Sequence, residues 1–271
     1  MIDVIVLDVD GGSMLGECIA SIRAQTVRPS RIIVFDNGSV EPVAQRVSGV
    51  EVYRSETNLG FAGGANAAFH LRTAAYVALI NNDVVLHADW LEQVRDALER
   101  DSQLAAVQTI IAGPKGHIDG AGIDISDGTF RQIGHGKPVG SQLSVAWGVS
   151  ATATLYRAEA LGGEVFDERL FAYYEDVELA ARLRASGWRT AVLPVVKATH
   201  RGSASAPVLR GDARRLRTRN RYLVARMHPG VGRIGALLWE DMKLMLLGRS
   251  SLRGIVQGLF GNMKADMKAE G

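Results

Sequence analysis

The chain has 271 residues, 47% of them hydrophobic and 22% charged, with 30 Gly, 7 Pro and a formal net charge of +2. That composition excludes a disordered or fibrous polymer and allows one large core or two modest ones. The lone Cys18 excludes an internal disulfide framework and a Cys-based zinc cluster, and no run reaches the ~18–20 strongly apolar residues of a spanning helix.

Residues 4–7 form an apolar run that predicts a first strand. The chain then turns acidic at Asp8 instead of entering a secretory leader, so a cytoplasmic protein is expected. After Gly11-Gly12, Leu15, Cys18, Ile19 and Ile22 recur at helical spacing, which makes Cys18 a buried, inert thiol. Residues 32–35 and 50–53 read as further strands, residues 62–72 as a helix and 76–80 as a strand buried on both faces. Asp89 and Glu92 have capping-box spacing before a helix with Leu91, Val94 and Leu98 on one face, and residues 105–108 return as a strand. Four βα units are therefore expected in the first 110 residues, giving a twisted, mostly parallel α/β sheet flanked by helices. Residues 112–160 are Gly-rich and weakly periodic and predict irregular strands and loops. A helix over 177–186, a strand over 190–193 and His200 in the loop beyond complete this part.

Ligands of such sheets bind beyond the carboxyl ends of the strands, where Asp10, Asp36 and Asp83 fall. No GxxxxGK[ST] loop occurs and no GxGxxG follows the first strand, which counts against kinases and nicotinamide enzymes. A nucleotide would have to be held another way, with Asp36 accepting from base or ribose and Asp83 ligating a cation that bridges a diphosphate. Asp36-Asn37-Gly38-Ser39 is equally an ordinary Asx turn. Asn81-Asn82-Asp83 crowds polar groups where a buried strand stops, and function is favoured there. The loop with Asn58, Gly60, Phe61, Gly63 and Asn66 runs into a helix whose N-terminus suits phosphate, or it is a glycine-assisted turn. Tyr173-Tyr174-Glu175-Asp176 opens a helix with two acids: either they simply favour the helix N-terminus, or one caps while the other, kept ionised by the helix dipole, serves as a general base. His200 suits a metal or phosphate site, though a lone loop His is more often ordinary.

Taken in chain order, these segments resemble the inverting glycosyltransferases of family 2, particularly the bacterial rhamnosyltransferase-like branch with the GT-A fold. The resemblance covers roughly residues 2–225. It rests on Asp36-Asn37-Gly38-Ser39, the 58–66 loop, Asn81-Asn82-Asp83, Phe166-Asp167-Glu168-Arg169-Leu170-Phe171, Glu175-Asp176-Val177-Glu178-Leu179, Gly187-Trp188-Arg189 and His200-Arg201-Gly202-Ser203. It implies a nucleotide-sugar donor held by Asp36 and the 58–66 loop. It further implies a divalent metal, Mg2+ or Mn2+, with the diphosphate at Asp83, His200 beside them, and Asp176 as the base. Asp8-Val9-Asp10 departs from the family's Asn-Tyr-Asn-like segment, and Asn81-Asn82 precedes Asp83 where fully acidic members have another carboxylate.

The expected organisation is a catalytic domain over 1–209, with a nucleotide-binding half at 1–110 and an acceptor-side half at 111–209, and a basic helical extension over 210–271. That extension holds 13 Lys+Arg against 5 Asp+Glu. Apolar positions recur at helical spacing over 234–247, which predicts either an interfacial helix at an anionic membrane or a helix packed on the body or on a second subunit. The expected acceptor is a polysaccharide or lipid-linked glycan rather than nucleic acid, and a homodimer is one arrangement the helix allows. The rival readings are a non-catalytic glycan- or membrane-binding member of the fold and a sugar-phosphate nucleotidyltransferase.

Overall fold

The computed structural model describes residues 1–202 and 213–261. The first half runs β1 (Ile2–Asp8), α1 (Gly12–Arg23), β2 (Arg31–Asn37), β3 (Glu51–Ser55), α2 (Gly60–Phe69), β4 (Tyr76–Asn81), β5 (Val84–Leu86), α3 (Trp90–Arg100) and β6 (Leu104–Ala112). Then come β7 (Ile118–Gly120), β8 (Ile123–Asp124), β9 (Arg131–Gln132), β10 (Ala153–Arg157), α4 (Ala158–Leu161), α5 (Glu175–Ala185), β11 (Arg189–His200), α6 (Ala213–Met227), α7 (Ile234–Leu246) and α8 (Leu252–Phe260).

The main sheet has the order β3-β2-β1-β4-β10-β6-β11-β5, with β7 added on β6. Its strands are mostly parallel; β10 and β5 run against their neighbours. Alternation along β1 sends Val4 and Val6 into a layer with Leu15 and Ile22 of α1 and Trp90 and Val94 of α3. Ile5 and Leu7 point the other way, onto Ala62, Ala65 and Phe69 of α2. Burial on both faces is why these strands read as unbroken apolar runs. Cys18 is buried in the first layer, where desolvation holds its thiol well above the ordinary range.

The structure differs from the sequence reading in four places. Between β2 and β3 the chain makes only a short 3-10 turn, Val43–Gln45, so three helices rather than four serve the first strands. The middle third contributes β10, whose five residues lie in the centre of the sheet between β4 and β6. His200 is not in a loop but ends β11, a strand of 12 residues that continues through Pro194 with register shifts. The capping box does not form: Asp89 accepts from Lys197 Nζ at 2.6 Å, and Glu92 accepts from Thr26 Oγ1 at 3.0 Å.

Leu7 pairs with Asn81, and Asp8 with Asp36, so β1, β2 and β4 end level. The chain fans from β1 to β2 and β3 on one side and returns with β4 on the other, making the β1/β4 junction a topological switch point. A third cluster joins Leu170 and Val177 to Tyr222 and Leu223 of α6, Leu237 of α7 and Ile255 of α8. The basic helix α6 therefore shares a core with the segment that leads into α5.

Candidate active site

At the ends of β1 and β2 the carboxylates are compensated. Asp8 is fully buried, accepts from Asn82 Nδ2 at 2.6 Å and pairs with Arg46 at 3.1 Å. Asp36 accepts from the backbone N–H groups of Ser39 and Val43 and from Arg54. Burial raises the Asp36 pKa, but these donors more than reverse it and hold it below the usual carboxylate range. Asp10, exposed and at φ 49°, accepts from Val40 N and ties the β1 turn to the Asx turn after β2.

The 58–66 loop is shaped from within. Asn58 Oδ1 accepts from Gly60 N and Asn37 Nδ2, closing the turn into α2. Gly60 sits at φ 73°, and a Cβ there would lie 2.6 Å from Phe171, so glycine is required on both counts. A Cβ on Gly63 would come within 3.0 Å of Leu59. Asn66 is buried and its amide is spent on residues 165–168: Oδ1 accepts from Val165 N and Phe166 N, and Nδ2 donates to Phe166 O and Glu168 Oε1.

Across the switch point, Asp83 follows β4 and meets the end of β11. His200 stands between two carboxylates, Nε2 3.0 Å from Asp83 Oδ2 and Nδ1 3.0 Å from Asp119 Oδ2. Burial works against a charge on the imidazole, but the two acids push its pKa up to about 10. Asp119, in turn, is held low by the His200 bond. Asp83 suits a hard divalent cation whose other ligands are phosphate oxygens and water, and His200 would join it only as a neutral imidazole, after giving up the proton that its two carboxylates favour. Among the described residues, no cluster of three or more His, Cys, Asp or Glu is placed to hold an ion without such help.

The wall opposite is strained. Phe171, Tyr173 and Tyr174 all have positive φ, at 59°, 74° and 68°, a conformation that costs non-glycine residues of order 1–3 kcal/mol each. The strain is held from α6: the fully buried Asn220 donates through Nδ2 to the carbonyls of Leu170, Ala172 and Tyr173, and Arg219 donates to Arg169 O. The segment delivers Glu175 and Asp176 to the first turn of α5. Glu175 is buried and its Oε2 has no hydrogen-bond partner; Asp176, half-buried, accepts from Val177 N at 2.8 Å. Neither has an ion-pair partner among the described residues. Burial, with Asp176 as the close second charge, raises the Glu175 pKa. Burial also raises that of Asp176, against the pull of the backbone N–H groups of Val177 and Ala151.

One cavity of about 400 Å³ gathers Asn58, Gly60, Phe61, Asn82, Asp83, Glu175, Asp176 and His200. Asp10, Asp36, Gly63 and Asn66 lie outside its lining and shape the loops that form it. The sequence reading missed Arg217, which lines the cavity with its guanidinium 4.3 Å from the Tyr173 ring, as well as Asp119 and Asn220. Only the glycine-flanked Asp119-Gly120 offered a signal; Arg217 and Asn220 are hidden in a run that reads as a solvated basic face.

Fold and cavity together define an α/β protein with a carboxylate-rich ligand crevice at its topological switch point. Residues 4–162 match the family model Glycosyl transferase family 2, and the chain belongs to that family. It is 26% identical over 233 residues to the N-acetylglucosaminyl-diphospho-decaprenol L-rhamnosyltransferase of Mycobacterium tuberculosis, covering 74% of this chain and 76% of that one. The amylovoran biosynthesis glycosyltransferase AmsB of Erwinia amylovora is 27% identical over 184 residues, 62% of this chain and 58% of the other. In fold it resembles residues 1–349 of S. aureus TarS, with a TM-score of 0.58 at 16% identity over 96% of this chain and 75% of that one. The GT-A type of mixed, mostly parallel sheet with C-terminal helices is thus established, and Glu175, Asp176 and His200 lie beyond the segment that the family model matches.

Proposed function

We propose that this glycosyltransferase moves a sugar from a nucleotide-diphosphate donor to an acceptor hydroxyl by a single, inverting displacement. The observation that carries the reading is one cavity with Asp83 and His200 on one wall and the unpaired acids Glu175 and Asp176 on the other. Asp176 takes the acceptor's hydroxyl proton, the freed oxygen bonds to the anomeric carbon, and the bond from that carbon to the diphosphate oxygen breaks, its electron pair leaving with the nucleotide. The two unpaired acids are adjacent, on one side of the cavity, and Asp83 is engaged with His200. Among the described residues this leaves no free carboxylate on the opposite face to serve as the nucleophile of a retaining route.

Asp83, with His200 beside it, would hold a divalent cation, Mg2+ or Mn2+, which when bound neutralises charge on the diphosphate. Asn58, Gly60, Phe61 and Asn82 contact the donor, while Asp10, Asp36, Gly63 and Asn66 keep the nucleotide-binding loops in shape. By analogy with the mycobacterial relative, the acceptor is a glycan borne on a lipid diphosphate and the sugar a hexose such as rhamnose. Such an acceptor places the enzyme at a membrane surface as a peripheral protein. Among the described residues no helix is long and apolar enough to cross a membrane.

Calorimetric titration of nucleoside diphosphates with and without Mn2+ tests this reading. Mn2+ should tighten binding at least tenfold in the native chain and not in Asp83→Ala, whose fold should survive because Asp83 follows a strand end. Metal-independent binding, or full transfer activity in that variant, would remove the assigned role of Asp83.

A further inference from the structure

Helices α7 and α8 each pack one face on α6 and leave the other uncovered among the described residues. For α8 the packed face is made of glycines: a Cβ on Gly254 would lie 2.7 Å from Arg215 O, and one on Gly258 2.5 Å from Arg219 O. Its opposite face carries Leu252, Val256 and Phe260, the last 79% exposed. On α7 the outward residues include Trp239, Met242 and Leu246, the last 90% exposed. An apolar surface of this extent marks an interaction site.

Its charge identifies the partner. The described residues from 213 to 261 contain two acids, Glu240 and Asp241. Asp241 is fully buried against Arg221, Tyr222 and Ser250, and Glu240 pairs with Arg221 at 2.9 Å and Arg131 at 3.3 Å. Of these two acids, Asp241 is turned inward and Glu240 is neutralised by two arginines. The charges left exposed on α7, α8 and their connection are Lys243, Arg249 and Arg253, all basic. Lys243 lies 4.7 Å from the Trp239 ring, placing an ammonium beside an amphipathic aromatic group. A two-fold contact with a second copy would set these cations against one another, whereas phosphate headgroups would complement them.

We propose that the outer faces of α7 and α8 dock on an anionic lipid bilayer, with their apolar residues at the level of the headgroups and Lys243, Arg249 and Arg253 among the phosphates. The inference deepens the reading of a membrane-borne acceptor. Because α6 carries both these helices and Arg217 at the cavity, docking would also fix how the cavity faces the membrane.

Co-sedimentation of the full chain with phosphatidylglycerol-containing and pure phosphatidylcholine vesicles, at low and high salt, tests the proposal without any need for turnover. Binding should favour anionic vesicles and weaken with salt. Lys243→Gln with Arg253→Gln should weaken it about fivefold per charge, and Leu246→Glu with Phe260→Glu by tenfold or more. All four positions are exposed, so unchanged melting curves should accompany the loss. Absence of binding to either vesicle, or equal binding by both double variants, would overturn the proposal. So would a chain that self-associates in sedimentation velocity and is made monomeric by the same substitutions, since a second copy would then cover the face. Transfer to a soluble acceptor by a chain that ignores vesicles would sink this inference alone. Vesicle binding without transfer would sink the catalytic reading alone.

Discussion

At the ends of β1 and β2, Asp8 and Asp36 are buried beside arginines, whereas Glu175 and Asp176 at the start of α5 lie next to each other with no ion-pair partner among the described residues. The first pair is satisfied by hydrogen bonds and ion pairs and holds loops in place. The second is kept out of balance, with ionisation displaced upward by burial and repulsion, in a wall of strained backbone. Buried acids without compensation are costly, and their concentration on one wall of the cavity is the reason the proposed proton transfer is assigned there.

The contrast is tested most severely by Asp176→Asn. Turnover should fall by about 10²–10⁴-fold with donor affinity nearly unchanged, and Glu175→Gln should be the milder change. If the loss appears instead as weakened donor binding by calorimetry, Asp176 is a binding group and the contrast collapses.

A smaller effect is expected from Asn220→Ala, outside the cavity. Removing its amide orphans three carbonyls of the strained segment, which should cost about 1–3 kcal/mol of stability. It should also lower kcat by up to about 10²-fold through misplaced acids. A melting curve together with kcat and donor affinity separates this from general damage: unchanged kcat in a folded variant would deny α6 its positioning role.

The mildest test is pH. Both folded pKa values are raised, so ionising Asp176 for catalysis requires pH above the ordinary carboxylate range of about 4. kcat/KM should rise with pH through that displaced value, and the same limb should persist in Glu175→Gln. For stability the sign is the reverse. The pair favours the fold in acid, below the unfolded values, and this contribution is lost as pH rises through the folded ones. The Glu175→Gln, Asp176→Asn double variant should therefore melt a few degrees higher relative to the native chain at neutral pH than in acid. A pH-independent difference would show that the acids are not displaced.

Much of the first wall is legible in the sequence, because strands buried on both faces leave unbroken apolar runs and polar residues collect where they stop. The second wall is harder. Strand β10 is flanked by Gly, Ser and Thr and has no partner helix of its own length, so no periodicity announces it. β5 is three residues long. The positive φ angles at Phe171, Tyr173 and Tyr174 belong to residues that rarely adopt them, and no local pattern signals tertiary strain. In α6 the basic run reads as exposed charge, yet Arg219 and Asn220 are buried where they donate to the 169–173 carbonyls, and Arg221 is buried against Asp241.

The two walls also touch. Ala62 N donates to Phe171 O at 3.0 Å, Gly60 lies directly beneath the Phe171 ring, and Asn66 grips residues 165–168. On the proposed reading, a donor settling into the 58–66 turn would press on the segment that carries Asp176. The coupling is reciprocal by thermodynamic necessity, so whatever tightens the acceptor side must tighten the donor side by the same factor. On the proposed reading this contact favours ordered loading, with the donor setting the wall that the acceptor then meets.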